Sequence, residues 1–360
     1  MLIRLAWRNI WRNKRRSYIT ITSIAFAVFF ASMFMSMQYG SMTDMIDKAV
    51  RFYTGHVQLQ QEGYWDERTL DNSMPYSPQL VDQIEEVDGI SVAVPRIESF
   101  ALSAFDNATR PAMVFGVDLD REDQITSLSE RIIDGERVQN GERAVLIGAG
   151  LAEYLKVTVG DTLVLISQGY HGVNAAGLYP IKAIAKFSNP AQNKQMVAMS
   201  LEEAQYFYGM EDRVTSIAIL ANDDQPLDET LENIKTQLST GDLAILDYLQ
   251  LMPELVQIMD MKQSSSRIMI MILYAVIAFG MFGTFLMMTA ERMREFGILL
   301  SVGMKRIKLQ LTTFLEISMM SFIGVFIGVL ISLVIIIYFY YNPIDLGSQY
   351  QQITDQYNME

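Results

Sequence analysis

Apolar and polar residues are sorted along this chain into long blocks. No residue is charged from Ser17 to Thr43, from Ile268 to Ala290, or from Ile317 to Pro343. A helix needs about 20 apolar residues to cross the hydrocarbon core of a bilayer, so each block is long enough. Buried helices in soluble proteins rarely stay charge-free and apolar all round for so long as these three. Basic residues precede the first block, as they would in a secretory signal. It is nevertheless about twice the usual apolar length of such a signal, with no small-residue cleavage site at its far end. It is read as an uncleaved first span.

Orientation follows from Lys and Arg. Arg4, Arg8, Arg12, Lys14, Arg15 and Arg16 precede the first span, with no acidic residue among them. Between the second and third spans lie Arg292, Arg294, Lys305, Arg306 and Lys308, against Glu291 and Glu295. The positive-inside rule places both stretches in the cytoplasm and the long segment between spans one and two outside. In residues 1–16, Ile3, Trp7, Ile10 and Trp11 recur near helical spacing among Arg and Asn. That pattern predicts an amphipathic helix on the cytoplasmic leaflet, which also serves as a basic topology anchor.

The segment between the first two spans has the pattern of an α/β domain. Ser77-Pro78 predicts a short helix to about Glu86. Ile90–Val94, Ala112–Phe115, Ala144–Ile147 and Thr162–Ile166 predict strands. Gly148-Ala149-Gly150, before a helix over Leu151–Leu155, resembles a dinucleotide turn, but Glu153 stands where the third glycine is needed and would repel a pyrophosphate. The loop Gln168–Gly177 is polar and glycine-rich, and His171 within it is expected to be a surface residue. Glu85-Glu86-Asp88 and Asp223-Asp224 lack the alternation of a calcium loop and are read as solvated acidic faces. From Pro253 to Ala290 no glycine or proline intervenes before Gly280 and Gly283. At ~1.5 Å per residue those ~38 residues outrun the ~30 Å hydrocarbon core, predicting a rigid stalk continuous with the second span.

Composition narrows the chemistry. The 360 residues carry 28 Lys+Arg against 41 Asp+Glu, an acidic balance that argues against nucleic acid as a partner. There is no cysteine, hence no disulfide, thiolate nucleophile or zinc–thiolate site, and only His56 and His171 could act as imidazole bases. No phosphate-cradling G-x-x-x-x-G-K-[ST] occurs, so ATP hydrolysis by that route is excluded in this chain. The spans hold no Asp, Lys or Arg near their centres, where a polar-substrate pathway would need them, and Glu316 lies close to the cytoplasmic end of the third span.

The most informative stretch is Glu291–Arg306, ERMREFGILLSVGMKR. It predicts a small helix in the cytoplasm, with Gly297 and Gly303 as breakers. Phe296, Ile298, Leu299 and Leu300 form an apolar surface that invites a covering partner. An ordinary interhelical turn lying on lipid is the plainer alternative.

The pattern E-R-x-R-E-[FI]-G-[IV]-L-x-[SA]-[VLA]-G, met here by Glu291, Arg292, Arg294, Glu295, Phe296, Gly297, Ile298, Leu299, Ser301, Val302 and Gly303, resembles that of the FtsX-like permeases of ABC transporters. These include MacB-type exporters and the LolC/LolE lipoprotein-release subunits. GHVQL (55–59), VPRI (94–97), FGVDLDRE (115–122), the stretch 145–165 and LMPEL (251–255) are similar to LolE-type members. Gly324-x-x-x-Gly328 matches in the third span and by itself permits close helix approach.

The resemblance implies a membrane α-helical fold with a large α/β extracytoplasmic domain inserted between spans 1 and 2, three spans here and four in the family. The expected segments are an amphipathic helix (1–16), span 1 (17–43), a periplasmic α/β domain (44–252), stalk and span 2 (253–290), a coupling loop (291–311), span 3 (312–341) and a tail (342–360) cut before a fourth span. Glu291, Arg294, Glu295, Phe296, Gly297, Leu300, Ser301 and Gly303 are expected to meet a cytoplasmic ABC ATPase, and Gly280, Gly283, Gly324 and Gly328 to pack helices. The chain itself would be non-catalytic and hold no cofactor, with ATP and Mg on the partner ATPase. Other expected partners are a second permease chain, membrane lipid, and a periplasmic carrier or outer-membrane factor, in the bacterial inner membrane. Its work would be mechanotransmission for lipoprotein release or export. Two other readings are a regulatory subunit controlling a cell-wall hydrolase or sensor without any transported substrate, and a membrane-anchored enzyme, for which no nucleophile–base pair is evident.

Overall fold

A computed structural model describes residues 2–12, 14–50, 54–187, 189–222, 225–238, 241 and 243–342. Asp223-Asp224 and nearly all of the 342–360 tail lie outside the described residues. The chain divides into two compact units, Met1–Asp44 with Gln257–Glu360, and Met45–Val256. The first unit opens with α1 (Leu2–Arg12) and α2 (Lys14–Ala49).

The second unit is built on strands β1 (Val57–Gln61), β2 (Met74–Pro75), β3 (Ile90–Phe105), β4 (Ala108–Val117), β5 (Ile132–Gly135), β6 (Val145–Gly148), β7 (Thr162–Gln168), β8 (Asn174–Ala185), β9 (Met196–Ser200), β10 (Arg213–Val214), β11 (Ser216–Ala221) and β12 (Leu243–Asp247). One mixed sheet runs β12-β1-β11-β3-β4-β9-β6-β8-β5, with β7 pairing both β3 and β8, while β2 and β10 pair separately. Helices α3 (Pro78–Glu85), α4 (Leu119–Thr126), α5 (Ala149–Leu155), α6 (Pro190–Gln195), α7 (Leu201–Tyr208), α8 (Leu227–Gln237) and α9 (Tyr248–Leu251) complete the unit. The long strand β3 is its spine: Ile90–Arg96 pairs with β11 and Arg96–Phe105 with β4.

Local chemistry explains the helix starts. Ser77 caps α3 by accepting from the Leu80 N–H, with Pro78 at the first helical position, as its sequence predicts. Asp118 caps α4, accepting from Asp120 and Arg121 N–H at 3.1 and 3.2 Å. The glycines of the Gly148–Gly150 turn serve packing: a Cβ on Gly148 would stand 2.4 Å from the Asn193 carbonyl oxygen, and one on Gly150 3.0 Å from it. The backbone of α6 therefore occupies the place a phosphate would need. Three expectations are corrected. Asn174–Gly177 is strand, paired with β7, so the loop shrinks to the residues around His171. Glu85 is no solvated acid, because it accepts from the Ala93 N–H at 3.0 Å and from Arg121, tying α3 to β3 and α4. The strand over Ile90–Val94 runs on to Phe105, because its second half gains β4 and β7 as partners.

Within the unit Arg96 and Glu122 are both fully buried and form a two-pronged ion pair, each hydrogen bond 2.9 Å. It fixes α4 on the face of β3, and the guanidinium also lies 5.1 Å from the Phe115 ring centroid. Burial pushes the Glu122 carboxyl above the usual carboxylate range, while Arg96 pulls it back.

In the first unit, the chain continues through α10 (Pro253–Glu291), α11 (Met293–Ser301) and α12 (Arg306–Tyr341). Ser17–Asp47, Pro253–Glu291 and Arg306–Tyr341 are long and apolar enough to cross a membrane. In α12 the buried residues Thr312, Glu316, Met320, Gly324, Gly328 and Ser332 recur every four positions, a single stripe. A Cβ on Gly324 would lie 2.8 Å from the Ile24 side chain, and one on Gly328 2.6 Å from the Ala25 carbonyl oxygen. Only glycine lets α2 and α12 approach this closely. Beside Gly280 and Gly283 a Cβ meets nothing within 4 Å, so among the described residues no close helix approach is made at either.

Arg96→Met should strand a buried carboxylate and cost about 3–5 kcal/mol, read as a lower unfolding midpoint of the purified chain. Replacing both Arg96 and Glu122 by methionine should restore most of it. The lone Glu122 binds its proton more tightly folded than unfolded, so Arg96→Met should regain stability as pH falls from 7 towards the ordinary carboxylate range. A loss independent of pH would exclude the ion pair as its source.

Candidate functional site

The loop between the second and third long helices forms a short helix of nine residues. α10 ends at Glu291, and Arg292, at φ −96° and ψ 2°, breaks the helix before α11. At the far end Gly303 takes φ +98°, where its N–H reaches the Leu300 carbonyl at 3.0 Å and the Met304 N–H reaches that of Leu299 at 3.0 Å. A left-handed residue closing a helix is the setting in which glycine is favoured. Gly303 is therefore the breaker it was predicted to be, but Gly297 lies inside α11. The other break falls at Arg292 because its side chain is drawn away from the helix.

What draws it is Glu316. Its carboxylate is 2% exposed and accepts from Arg292 Nη1 on one oxygen and from Asn9 Nδ2, at 2.6 Å, on the other. Arg292 Nε stands 3.8 Å from Glu295, whose carboxylate also pairs with Arg12. A chain of charge thus runs from α1 through α11 to α12. The members differ in weight. Arg12 and Glu295 are about half exposed, and such pairs contribute roughly 0–1 kcal/mol, whereas removing one partner of a buried pair costs about 3–5 kcal/mol. The Arg292–Glu316 pair holds the loop, and Arg12–Glu295 is a secondary tether.

Apolar packing reinforces the joint. Ile10 of α1, Ile21 of α2 and Met320 of α12 form a buried cluster, with Trp11, Phe285 and Ile317 packed partly against it. Ile10 and Trp11 thus turn inward, while Ile3 and Trp7, from the same predicted apolar face, remain exposed.

The structure distributes the expected coupling residues over two faces. Phe296 and Leu300 are half-buried, whereas Glu291, Arg294, Glu295, Gly297, Ser301 and Gly303 are exposed. The outer apolar surface consists of Met293, Ile298, Leu299 and Val302, with Val302 82% exposed. Reading by sequence missed Glu316, Asn9 and Arg12 as parts of this site. The available signal was a glutamate inside an otherwise apolar helix, which demands a cation close by.

Elsewhere, in the α/β unit, His56 accepts from the Ala221 N–H at 3.1 Å and His171 lies exposed beside Asp71. One sheet face there is apolar and exposed. Phe100 and Leu102 of β3, Ile166 of β7 and Leu178 of β8 share it, with Leu102 directly opposite Ile166.

Residues 17–237 match the family model of the MacB-like periplasmic core domain, and residues 267–355 that of the FtsX-like permease C-terminal region. The chain belongs to the MacB/FtsX-type permease family. As a member it is an inner-membrane protein with a periplasmic domain. It is 23% identical over 250 residues to the lipoprotein-releasing system transmembrane protein LolC of Xylella fastidiosa (strain 9a5c), covering 67% of this chain and 59% of that protein. To the LolC of Neisseria meningitidis serogroup B (strain ATCC BAA-335 / MC58) it is 21% identical over 328 residues, covering 88% of this chain and 77% of that protein. The chain thus spans about three fifths of the length of the Xylella relative it matches. Among solved structures, the periplasmic region of MacB from Actinobacillus actinomycetemcomitans overlaps 53% of this chain and 87% of that one, at 12% identity and a TM-score of 0.39. The matched FtsX-like region includes α11, and Glu316 anchors its start through Arg292.

Glu316→Ala should release α1 from α12. Because the protein has no cysteine, Ile10→Cys with Met320→Cys gives a unique pair for a thiol cross-linker. Cross-linking should be efficient in the otherwise unchanged chain and several-fold weaker with Glu316→Ala. Equal efficiency would show that apolar packing alone holds the joint.

Proposed function

We propose that this chain is the non-catalytic membrane subunit of an ABC transporter, coupling ATP hydrolysis on a separate cytoplasmic chain to motion of its periplasmic domain. The observation that carries this reading is α11, a short helix fixed to the spans by a buried ion pair and presenting Met293, Ile298, Leu299 and Val302 to solvent. A rigidly held apolar surface is suited to receive a push, and exposing it without a partner would be costly. ATP and magnesium would be held by that partner. The basic flanks orient α11 towards the cytoplasm. Continuity of α10 from Pro253 to Glu291 supports its use as the lever.

A second permease chain would cover α10, whose apolar window has no buried residue among the described residues, with Gly280 and Gly283 on its open surface. The apolar sheet face around Phe100, Leu102, Ile166 and Leu178 would meet the released molecule, its carrier or an outer-membrane factor. Likeness to LolC, named as a lipoprotein-releasing protein, favours a lipidated substrate over a purely regulatory role.

Ile298→Asp with Val302→Asp should abolish copurification of the ATPase while leaving membrane insertion intact. Buried apolar hot spots contribute about 2 kcal/mol or more each, so the loss should exceed roughly 30-fold. Full retention of the ATPase would remove the docking assignment. Orientation has its own test, with a membrane-impermeant maleimide on spheroplasts. His171→Cys should label from outside and Arg294→Cys only after lysis. Labelling of both from one side would end the lever mechanism.

A further inference from the structure

Where α10, α11 and α12 meet, they enclose a groove of about 360 Å³. That lies within the range of about 300–1,000 Å³ usual for small-ligand sites. Its walls are Phe285 of α10, Phe296 of α11, and Leu309, Phe314 and Ile317 of α12. The two threonines on the wall have spent their hydroxyl protons locally: Thr289 donates to the Phe285 carbonyl at 3.0 Å and Thr313 to that of Leu309 at 3.1 Å. The interior therefore offers hydrocarbon contact with few polar demands, which suits an alkyl chain better than a polar metabolite.

The mouth has the opposite chemistry. Gln310 lies on the lining, and Arg306, four residues earlier on the same face of α12, stands exposed one turn beyond it. Lys305 and Lys308 flank it, and from Phe296 to Leu315 there is no acidic residue. A cationic rim at the end of an apolar slot, at the terminus of a membrane-spanning helix, is complementary to one kind of molecule.

We propose that this groove seats one acyl chain of an anionic phospholipid whose headgroup is held by Arg306 and the neighbouring lysines. Placing the seat in the cytoplasmic leaflet rests on the orientation proposed above. Phe296 makes the site more than a passive annulus, because it belongs to α11. An acyl chain against Phe296 fills the space behind the docking helix and stiffens its support, so lipid composition would tune how firmly α11 is held.

Native mass spectrometry of the full chain released from detergent tests this directly, with dioleoylphosphatidylglycerol and dioleoylphosphatidylcholine offered in equal amounts. The unaltered chain should retain one phosphatidylglycerol with roughly tenfold preference, the factor that one or two basic contacts supply. Arg306→Gln should bring that preference within about twofold. Thr313→Trp, which fills the groove, should remove retention of either lipid. Should that variant fail to fold, Gln310→Glu, which leaves the walls intact, should depress phosphatidylglycerol retention in the same way as Arg306→Gln. Equal retention of the two lipids by the unaltered chain would overturn the proposal. So would unchanged retention in the folded Thr313→Trp or the Gln310→Glu variant, or a two-chain mass that Thr313→Trp converts to one chain. The measurement needs neither the ATPase nor a particular orientation, so its outcome is separable from that of the transporter reading.

Discussion

A carboxylate set into an apolar helix face must be neutralised, and the membrane unit is arranged around that demand. Glu316 sits in the stripe by which α12 meets its neighbours, 2% exposed. Left ionised and alone it would carry a large desolvation penalty. Arg292 and Asn9 satisfy it, and they come from the two separate chain segments that make up the first unit. One buried charge thereby ties α1, the start of α11 and α12 together at a single point. Nothing in apolar packing alone would specify that register, because leucine-like surfaces slide over one another at little cost in lipid.

The α/β unit solves a related problem by the same means. Arg96 and Glu122 join a sheet strand to the helix above it, fully buried and doubly hydrogen-bonded. Buried pairs of this kind add little net stability compared with well-packed apolar residues, yet breaking one is expensive. Their effect is to make one arrangement admissible and its neighbours costly. Both pairs lie where an element must keep its place on a support: α4 on β3 in one unit, α11 beneath α12 in the other. A subunit proposed to transmit force needs joints that do not slip more than it needs extra stability.

Much of this was legible in the residues. Three uncharged blocks marked the long apolar helices, Ser77-Pro78 marked a helix start, and β-branched runs marked four of the strands. The motif from Glu291 to Gly303 pointed to a short helix, and the family match agrees with the resemblance it carried. The ion-pair partners were hidden, because Asn9, Arg292 and Glu316 are brought together only by the packing of three helices, and Arg96 and Glu122 only by a sheet-to-helix crossing. Local patterns also misled at Gly297. Glycine is a poor helix former, at roughly 1 kcal/mol relative to alanine, yet that cost is small beside the pull of a buried salt bridge at Arg292. The break moved to the residue whose side chain was claimed elsewhere. At Asn174–Gly177 an asparagine and small residues ending in glycine suggested the continuation of a loop, but pairing with β7 satisfied their backbone groups and overrode composition.

The two ends of α11 are unlike, and that asymmetry bears on how a push would travel. At its start, Arg292 is 6% exposed and locked to Glu316, so displacement there must carry α12 and α1 along or break a buried pair. At its end Gly303 is in a left-handed conformation with open space around it, and a glycine there can absorb rotation at little cost. A force on the exposed residues Ile298 and Val302 would then act about a stiff joint at Arg292 and a compliant one at Gly303. Motion would be delivered into the bundle through the Arg292–Glu316 contact more than through the Gly303 turn. If α11 is a docking helix as proposed, the direction of coupling would be set by the buried Arg292–Glu316 pair and not by the exposed apolar residues.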